Sequence, residues 1–347
     1  MKKTFTAFMA LTLTASALAG CSNTATQTTT AASANTTAAE SAAPAETKAA
    51  GEEETPAPAE GGSYSFAFLP NTQNNTFQAA MNDTFKKLCQ EKGYDYVCLD
   101  PDYDLNTQLS QMADVANQGF DAVFIIPVDS AGIRQGLEQI SEKNIPILNV
   151  DTPVIDEDLD LVETVIATDA YNAGTLVGQQ MAADYPDGGK IAILDFPSNE
   201  SCVNRVAGFL DGLGDAKDKF EIVAQQDGAA ALDVSMPIAE DIIQANPELN
   251  AFFCINAPSA LGAAAAIKAS GKTGIGVYSI DASPDGKAAI LDGSFTAVAA
   301  QVPIGIAETA FVKAEELLAG QEIEKEILLP SFLVDKEKAE ATLNDWQ

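Results

Sequence analysis

The sequence contains no histidine. That absence removes the His-based catalytic triad and the His-ligated metal centre, and leaves any chemistry to Cys, Lys and carboxylates. Basic residues are scarce too: 19 Lys and Arg stand against 50 Asp and Glu, for a net charge of −31. So acidic a chain repels a phosphate backbone unless its cations cluster, and these are scattered, so no nucleic-acid partner is expected. Cysteine is sparse, with Cys89, Cys98, Cys202 and Cys254 besides Cys21 and no Cys-x-x-Cys pair among them. Cys89 and Cys98 fall at the end of a predicted helix and in the next strand, where small buried thiols are common. An exported location also permits a disulfide. Neither a metal nor a cofactor is expected. A long apolar run is missing as well: the stretch from Phe5 to Leu18 is too short to cross a bilayer with ordinary flanks.

What is there begins with a processing signal. Lys2 and Lys3 precede that apolar stretch, and "LAGC" closes it at Cys21. The small residues before Cys21 resemble the lipobox of bacterial lipoproteins, which implies a signal peptide over 1–20, a lipid on Cys21 and an extracytoplasmic chain anchored to the cell membrane. From Ser22 to about Gly62 the composition collapses to Ala, Thr, Ser, Glu and Pro. With almost nothing large and apolar to bury, residues 21–62 read as a disordered acidic tether.

Beyond the tether, β-rich runs alternate with helical patterns, which signals βαβ units and a mainly parallel sheet. Strands are expected near 64–69, 94–99, 122–126 and 145–150, with helices near 77–91, 106–118 and 131–142. A second series follows: helix 170–183, strand 190–194, helix 201–213, strand 221–225, helix 234–245, strand 251–255, helix 259–269 and strand 276–280. The same architecture appears twice. Strand after strand ends in polar residues: "NTQNNTF", "PVDS", "NVDTP" at Asp151, "LDFPSNES", "CINAPS" at Asn256, "YSIDASPDG" at Asp281 and "AAQVP" at Gln301. Ligands of open α/β sheets sit beyond the carboxyl ends of strands. Two facing lobes would bring these ends together in a cleft lined by amides, carboxylates and Arg205, with Phe77 as an apolar platform. Planar amides and carboxylates can each engage two ligand groups, as a polyhydroxylated molecule requires.

The order and spacing of "NNTF", "IPILNVD", "NRVAGF", "FCINAPSALGAAAAIKASG", "YSIDASPDG" and "AAQVP" resemble the ribose-binding branch of the periplasmic binding protein type I family, across residues 63 to 335. The resemblance implies an α/β fold of two similar three-layer αβα lobes with parallel sheets, hinged by three crossings near Thr168, Gln301 and Pro330. One lobe would comprise 63–168 with 302–330, the other 169–301 with 331–347. It further implies a monomeric receptor that closes over a small neutral sugar or polyol and delivers it to the permease subunits of an ABC importer. The matching ligand positions are Asn71, Asn75, Phe77, Asp151, Arg205, Asn256, Asp281 and Gln301. Four positions depart from the ribose binders: Gln78 replaces an aromatic, Thr152 an Arg, Ile126 an Asn and Ala257 an Asp. Phe196 is a candidate replacement for the lost aromatic.

Each residue also has a plainer reading. Asn71 and Asn75 could cap the helix that follows, Phe77 could staple its start, Asp281 could stabilise the "SPDG" turn, and Arg205 could pair with a surface carboxylate. Other functions compatible with these residues are a receptor presenting its ligand to a signalling partner, a glycosidase built on Asp151 and Asp281, and a sugar-responsive repressor. The last is opposed by the lipobox and by the lack of an N-terminal helix-turn-helix. No nucleophile has an evident base, so a non-enzymatic role is expected.

Overall fold

Runs such as "SFAFL" and "AVFI" have no polar interruption, and a strand so composed is stable only where both faces are covered. The computed structural model describes residues 63–346. The expected signal peptide, Cys21 and the expected tether, with Gln347, lie outside the described residues. Strands β1 (Ser65–Leu69), β2 (Asp95–Cys98), β3 (Ala122–Ile125), β4 (Ile147–Val150), β5 (Thr164–Thr168) and β11 (Glu326–Leu329) form one all-parallel sheet in the order β11-β5-β4-β3-β1-β2. A second sheet, ordered β12-β10-β9-β8-β6-β7, contains β6 (Gly189–Asp195), β7 (Phe220–Asp227), β8 (Leu249–Cys254), β9 (Gly276–Ile280), β10 (Ala297–Ala300) and β12 (Phe332–Val334). Only β12, on β10, runs antiparallel.

Helices cover both faces of each sheet. The first sheet carries α1 (Thr76–Lys92), α2 (Leu105–Gln118), α3 (Arg134–Ser141) and α9 (Pro303–Leu318). The second carries α4 (Ala170–Asp184), α5 (Glu200–Gly212), α6 (Leu232–Ala245), α7 (Ala257–Ser270), α8 (Pro284–Asp292) and α10 (Lys336–Ala341). The chain passes between sheets after β5, after β10 and between β11 and β12, so three segments join the lobes. Elements β5, α8, α9, β11, β12 and α10 add to those expected from the pattern, and β10 is the strand expected to end before Gln301. The expected helix 131–142 begins later, at Arg134, because Asp129 Oδ1 accepts from the amides of Ala131 (3.0 Å) and Gly132 (2.7 Å) and holds a turn there.

One packing contact sets the position of a site residue. Helices α4 and α5 cross through four glycines: a Cβ on Gly174 would lie 2.1 Å from the Arg205 carbonyl oxygen, one on Gly178 2.2 Å from that of Phe209, one on Gly208 2.0 Å from that of Tyr171 and one on Gly212 2.3 Å from that of Thr175. The backbones touch. Phe209 then stacks on Phe253 of β8 at 4.1 Å between centroids, so α5 is fixed both to its neighbour and to the sheet. Cys89, Cys202 and Cys254 are buried and Cys98 is half-buried, all as free thiols. Burial pushes the thiols of Cys89, Cys98 and Cys202 up to about 12, so they stay protonated and inert near neutrality.

Candidate functional site

Both sheets reverse their order of connection beside the first strand, at β1/β3 and at β6/β8, and the carboxyl ends there open toward each other. All eight expected side chains line one cavity between them: Asn71, Asn75 and Phe77 after β1, Asp151 after β4, Arg205 on α5, Asn256 after β8, Asp281 after β9 and Gln301 after β10. They converge closely, enclosing about 40 Å³ in this arrangement.

The charged groups are the centre of it. Asp151, Arg205 and Asp281 are each at least nine-tenths buried. The Arg205 guanidinium donates through Nη1 to the Ile255 carbonyl at 2.9 Å. Its Nε has no partner among the described residues, and neither has Asp151 Oδ1. An unsatisfied buried donor and acceptor in one polar cavity are expensive unless something else completes them. Burial pushes the Asp151 carboxyl up to about 6; Arg205 pulls it down and Asp281 pushes it up. Asp281 accepts from Gln301 Nε2 and, at 3.4 Å, from the Ala257 amide at the start of α7. It does not cap α8, since Ser283 Oγ does that by accepting from the Gly286 amide at 3.0 Å. Asp151 and Asp281 sit at φ 63° and 80°. Such backbone strain is tolerated where surrounding structure enforces it, most often at functional sites.

Several amides have structural duties as well. Asn75 caps α1 by accepting from the Phe77 amide (2.8 Å), and Asn256 caps α7 by accepting from Ser259 (3.0 Å) while donating to the Ala230 carbonyl (3.0 Å). Gln78 explains the crowded "NTQNNTFQ" loop: its Oε1 accepts from the amides of Asn71 (3.0 Å) and Thr72 (3.2 Å), and its Nε2 donates to Asn71 Oδ1. So the amides both fold the loop and face the cavity. Fully buried Gln108 gathers the strand ends from behind, donating to the carbonyls of Pro70 (3.0 Å) and Ile126 (2.8 Å) and accepting from Val128 (2.8 Å). Phe77 belongs to the core of the first lobe and also lines the cavity, with Trp346 edge-on to it at 5.4 Å.

The same cavity includes side chains absent from the expected set: Tyr103, Asn199 and Cys202, together with Gln78, Thr152 and Phe196. Asn199 is legible in hindsight as the cap of α5, placed by "PSNES". Contacts across the cleft come mostly from this corner. Asn199 Nδ2 donates to Thr152 Oγ1 (3.1 Å), Ser201 Oγ donates to the Asp151 carbonyl (3.0 Å), and Ser130 exchanges bonds with the Ser198 carbonyl and the Glu200 amide (both 3.2 Å). Thr152, standing where an Arg is expected, thus ties the lobes together.

Comparison with known proteins agrees with this architecture. Residues 66–322 match the family described as a periplasmic binding protein domain. The ribose import binding protein of Bacillus subtilis is 28% identical over 268 residues, 77% of this chain and 86% of that protein. The xylitol-binding protein of Mycolicibacterium smegmatis is 27% identical over 236 residues, 67% of this chain and 66% of its own. Among solved structures, the binding component of the arabinose ABC transporter from a Shewanella species, bound to L-arabinofuranose, superposes with a TM-score of 0.75 at 25% identity, covering 80% of this chain and 93% of that one. With the matched segment spanning most of both lobes, the chain belongs to the periplasmic binding protein domain family.

Proposed function

We propose that this protein is an extracytoplasmic receptor, tethered through a lipid on Cys21, that closes over a small neutral sugar or polyol and presents it to an ABC importer. The observation that carries the reading is the buried trio Asp151, Arg205 and Asp281, with Asp151 Oδ1 and Arg205 Nε unpartnered among the described residues, in a cavity whose wall also holds six amide side chains and the rings of Phe77, Tyr103 and Phe196. Sugar hydroxyls both donate and accept, so one ring satisfies both orphan atoms and takes over the bond between Gln301 and Asp281. Two carboxylates against one guanidinium disfavour an anionic ligand. The sugar-binding and polyol-binding relatives support the same class of ligand.

Ligand groups from both lobes are in place together only in the closed form, so binding shifts the open-closed population by its differential affinity. A thermal-shift screen of pentoses, hexoses and polyols tests this, because a ligand at a hundred times its dissociation constant adds about 2.7 kcal/mol. A second readout is built in: Trp346, the single Trp, packs on Phe77 at the cavity, and its fluorescence should change in step with the melting shift. A screen in which only sugar phosphates bind overturns the assignment to neutral ligands. For the anchor, Cys21→Ser should release the protein from the membrane; a variant still bound after a high-salt wash argues against lipidation, since salt screens charge attraction.

The Asp151 carboxyl makes binding pH-dependent. Its pKa, raised to about 6 by burial, means the protonated form stabilises the closed, unliganded protein; that contribution is complete below the ordinary 3.8 and lost as pH rises through 6. Ligand hydroxyls donate to the ionised form. Affinity should therefore rise from pH 5 and level off above pH 7, by about tenfold in total, the proton population changing tenfold per pH unit. Titration calorimetry at pH 5 and pH 7.5 measures it, and Asp151→Asn should flatten the profile. An unchanged pH profile in that variant assigns the titration elsewhere.

A further inference from the structure

Beside the polar cavity lies a larger compartment of about 840 Å³, also lined from both lobes. The two share Asn75, Tyr103, Phe196 and Ala230 in their walls, so they are immediate neighbours. Their chemistry differs. The inner wall carries six amide side chains and the Asp151–Arg205–Asp281 charges beside its aromatic rings, whereas the outer wall adds the aliphatic Leu105 and Val128 from one lobe and Leu232, Val234 and Leu261 from the other. Its charged lining residues are all acidic, Asp102, Asp129, Asp233 and Asp285, with no Lys or Arg among them. Leu232 and Val234 are exposed at 43% and 38%, unusual for large aliphatic side chains facing a cleft.

The backbone singles out the same place. Seven non-glycine residues have positive φ among those described, and four of them line this compartment: Asp102 (50°) and Tyr103 (62°) on one side, Ala229 (52°) and Ala230 (54°) on the other. Left-handed alanine is unfavourable by about 1–2 kcal/mol per residue. Both pairs are held by specific bonds: Tyr103 N donates to the Asn71 carbonyl at 2.8 Å, and the Ala230 carbonyl accepts from Asn256 at 3.0 Å. Residues of the polar site thus hold the walls of the outer one.

We propose that the outer compartment is a second subsite, and that the protein's ligand is a small sugar or polyol carrying an uncharged apolar or aromatic substituent, seated between Val128 and the Leu232–Val234 wall. This inference rests on the proposed sugar-binding function. An anionic substituent is disfavoured by the four carboxylates, and an apolar substituent covers the aliphatic side chains that a bare sugar ring would leave unmatched.

The test uses the full-length chain and a panel of pentoses and hexoses, with the methyl and phenyl glycosides of each in both anomeric forms, titrated calorimetrically. For at least one sugar the phenyl glycoside should bind at least tenfold more tightly than the methyl glycoside. The double substitution Leu232→Asp, Val234→Asp, at exposed positions in the first turn of α6 where acidic residues are compatible with the helix dipole, should abolish that gain. Binding of the parent sugar should stay within twofold. Sugars that bind while every phenyl glycoside binds no better than its methyl counterpart overturn the subsite and leave the sugar reading intact. A double variant that weakens parent sugar and phenyl glycoside equally also overturns it, and a panel in which nothing binds removes the sugar reading and the subsite together.

Discussion

Replacing Asp281 by alanine is expected to weaken ligand binding ten- to a hundredfold. The carboxylate is buried at the end of β9 in the same cavity as Asp151 and Arg205, and ligand hydroxyls that lose their acceptor in a closed cleft forfeit about 1.5–3 kcal/mol. Folding should respond much less. Ser283, not Asp281, caps α8, so that helix keeps its N-terminus; what alanine adds is strain, because φ at 281 is 80° and alanine adopts that region less readily than Asp. A stability loss of about 1 kcal/mol is expected from that strain and from the lost bonds to Gln301 and Ala257. Asp281→Asn separates the two effects. Asparagine tolerates the left-handed backbone, so stability should be nearly retained while affinity still falls, because its amide presents a donor where the ligand needs a charged acceptor. Removing the Asp281 charge also relieves Asp151, whose carboxyl it pushes up, so the pH midpoint of binding should move to lower pH in both variants. Retained affinity alongside lost stability would take Asp281 out of the site.

The sequence made the inner cavity readable because its residues end strands. A run such as "ILNVD" announces both a buried strand and the polar position just past it, and doubly wound topology brings such positions together. Asp151, Asp281 and Gln301 were accessible that way, whereas Arg205, on α5, was marked by the "NRVAGF" pattern. Tyr103 and Ala230 were not, since they reach the cavity through left-handed backbone, and nothing in Tyr or Ala marks a positive φ. Cross-cleft bonding by Thr152 and Asn199 was hidden for another reason: it depends on how two lobes meet, which periodicity within one lobe does not encode. Strand β10, "AVAA", is short and alanine-rich, a composition that favours strand only weakly. Its partner Gln301 was located through the polar position that follows it. The amide-rich "NTQNNTFQ" stretch was informative in an unexpected way, because Gln78 spends its carboxamide on folding the loop that presents Asn71.

Gly174→Ala should destabilise the protein by about 2–3 kcal/mol, although alanine is the better helix former. In an open helix the exchange would add up to about 1 kcal/mol of stability. Here the new methyl would meet the Arg205 carbonyl oxygen at 2.1 Å and the Phe209 amide nitrogen at 2.8 Å, both backbone atoms of α5 that cannot swing aside. Relief requires α4 and α5 to separate, and overpacking of this kind costs about 1–3 kcal/mol, with backbone contacts at the upper end. Gly305 on α9 is the control: its nearest neighbour would be Val302 Cβ at 3.6 Å, ordinary contact distance, so Gly305→Ala should be neutral or slightly stabilising. Urea melts of the two variants should therefore move in opposite directions. The larger consequence reaches the ligand. Arg205 is carried by the segment of α5 that the methyl displaces, and its guanidinium must stay near Asp151 and Asp281 in the cavity to act on either. Gly174→Ala should thus lose affinity as well as stability, even at temperatures where it is fully folded, because a shift of the helix misplaces the one cation in the cavity. A variant that is destabilised yet binds with unchanged affinity would show that α5 relaxes locally at the crossing and that the glycine contact sets stability alone.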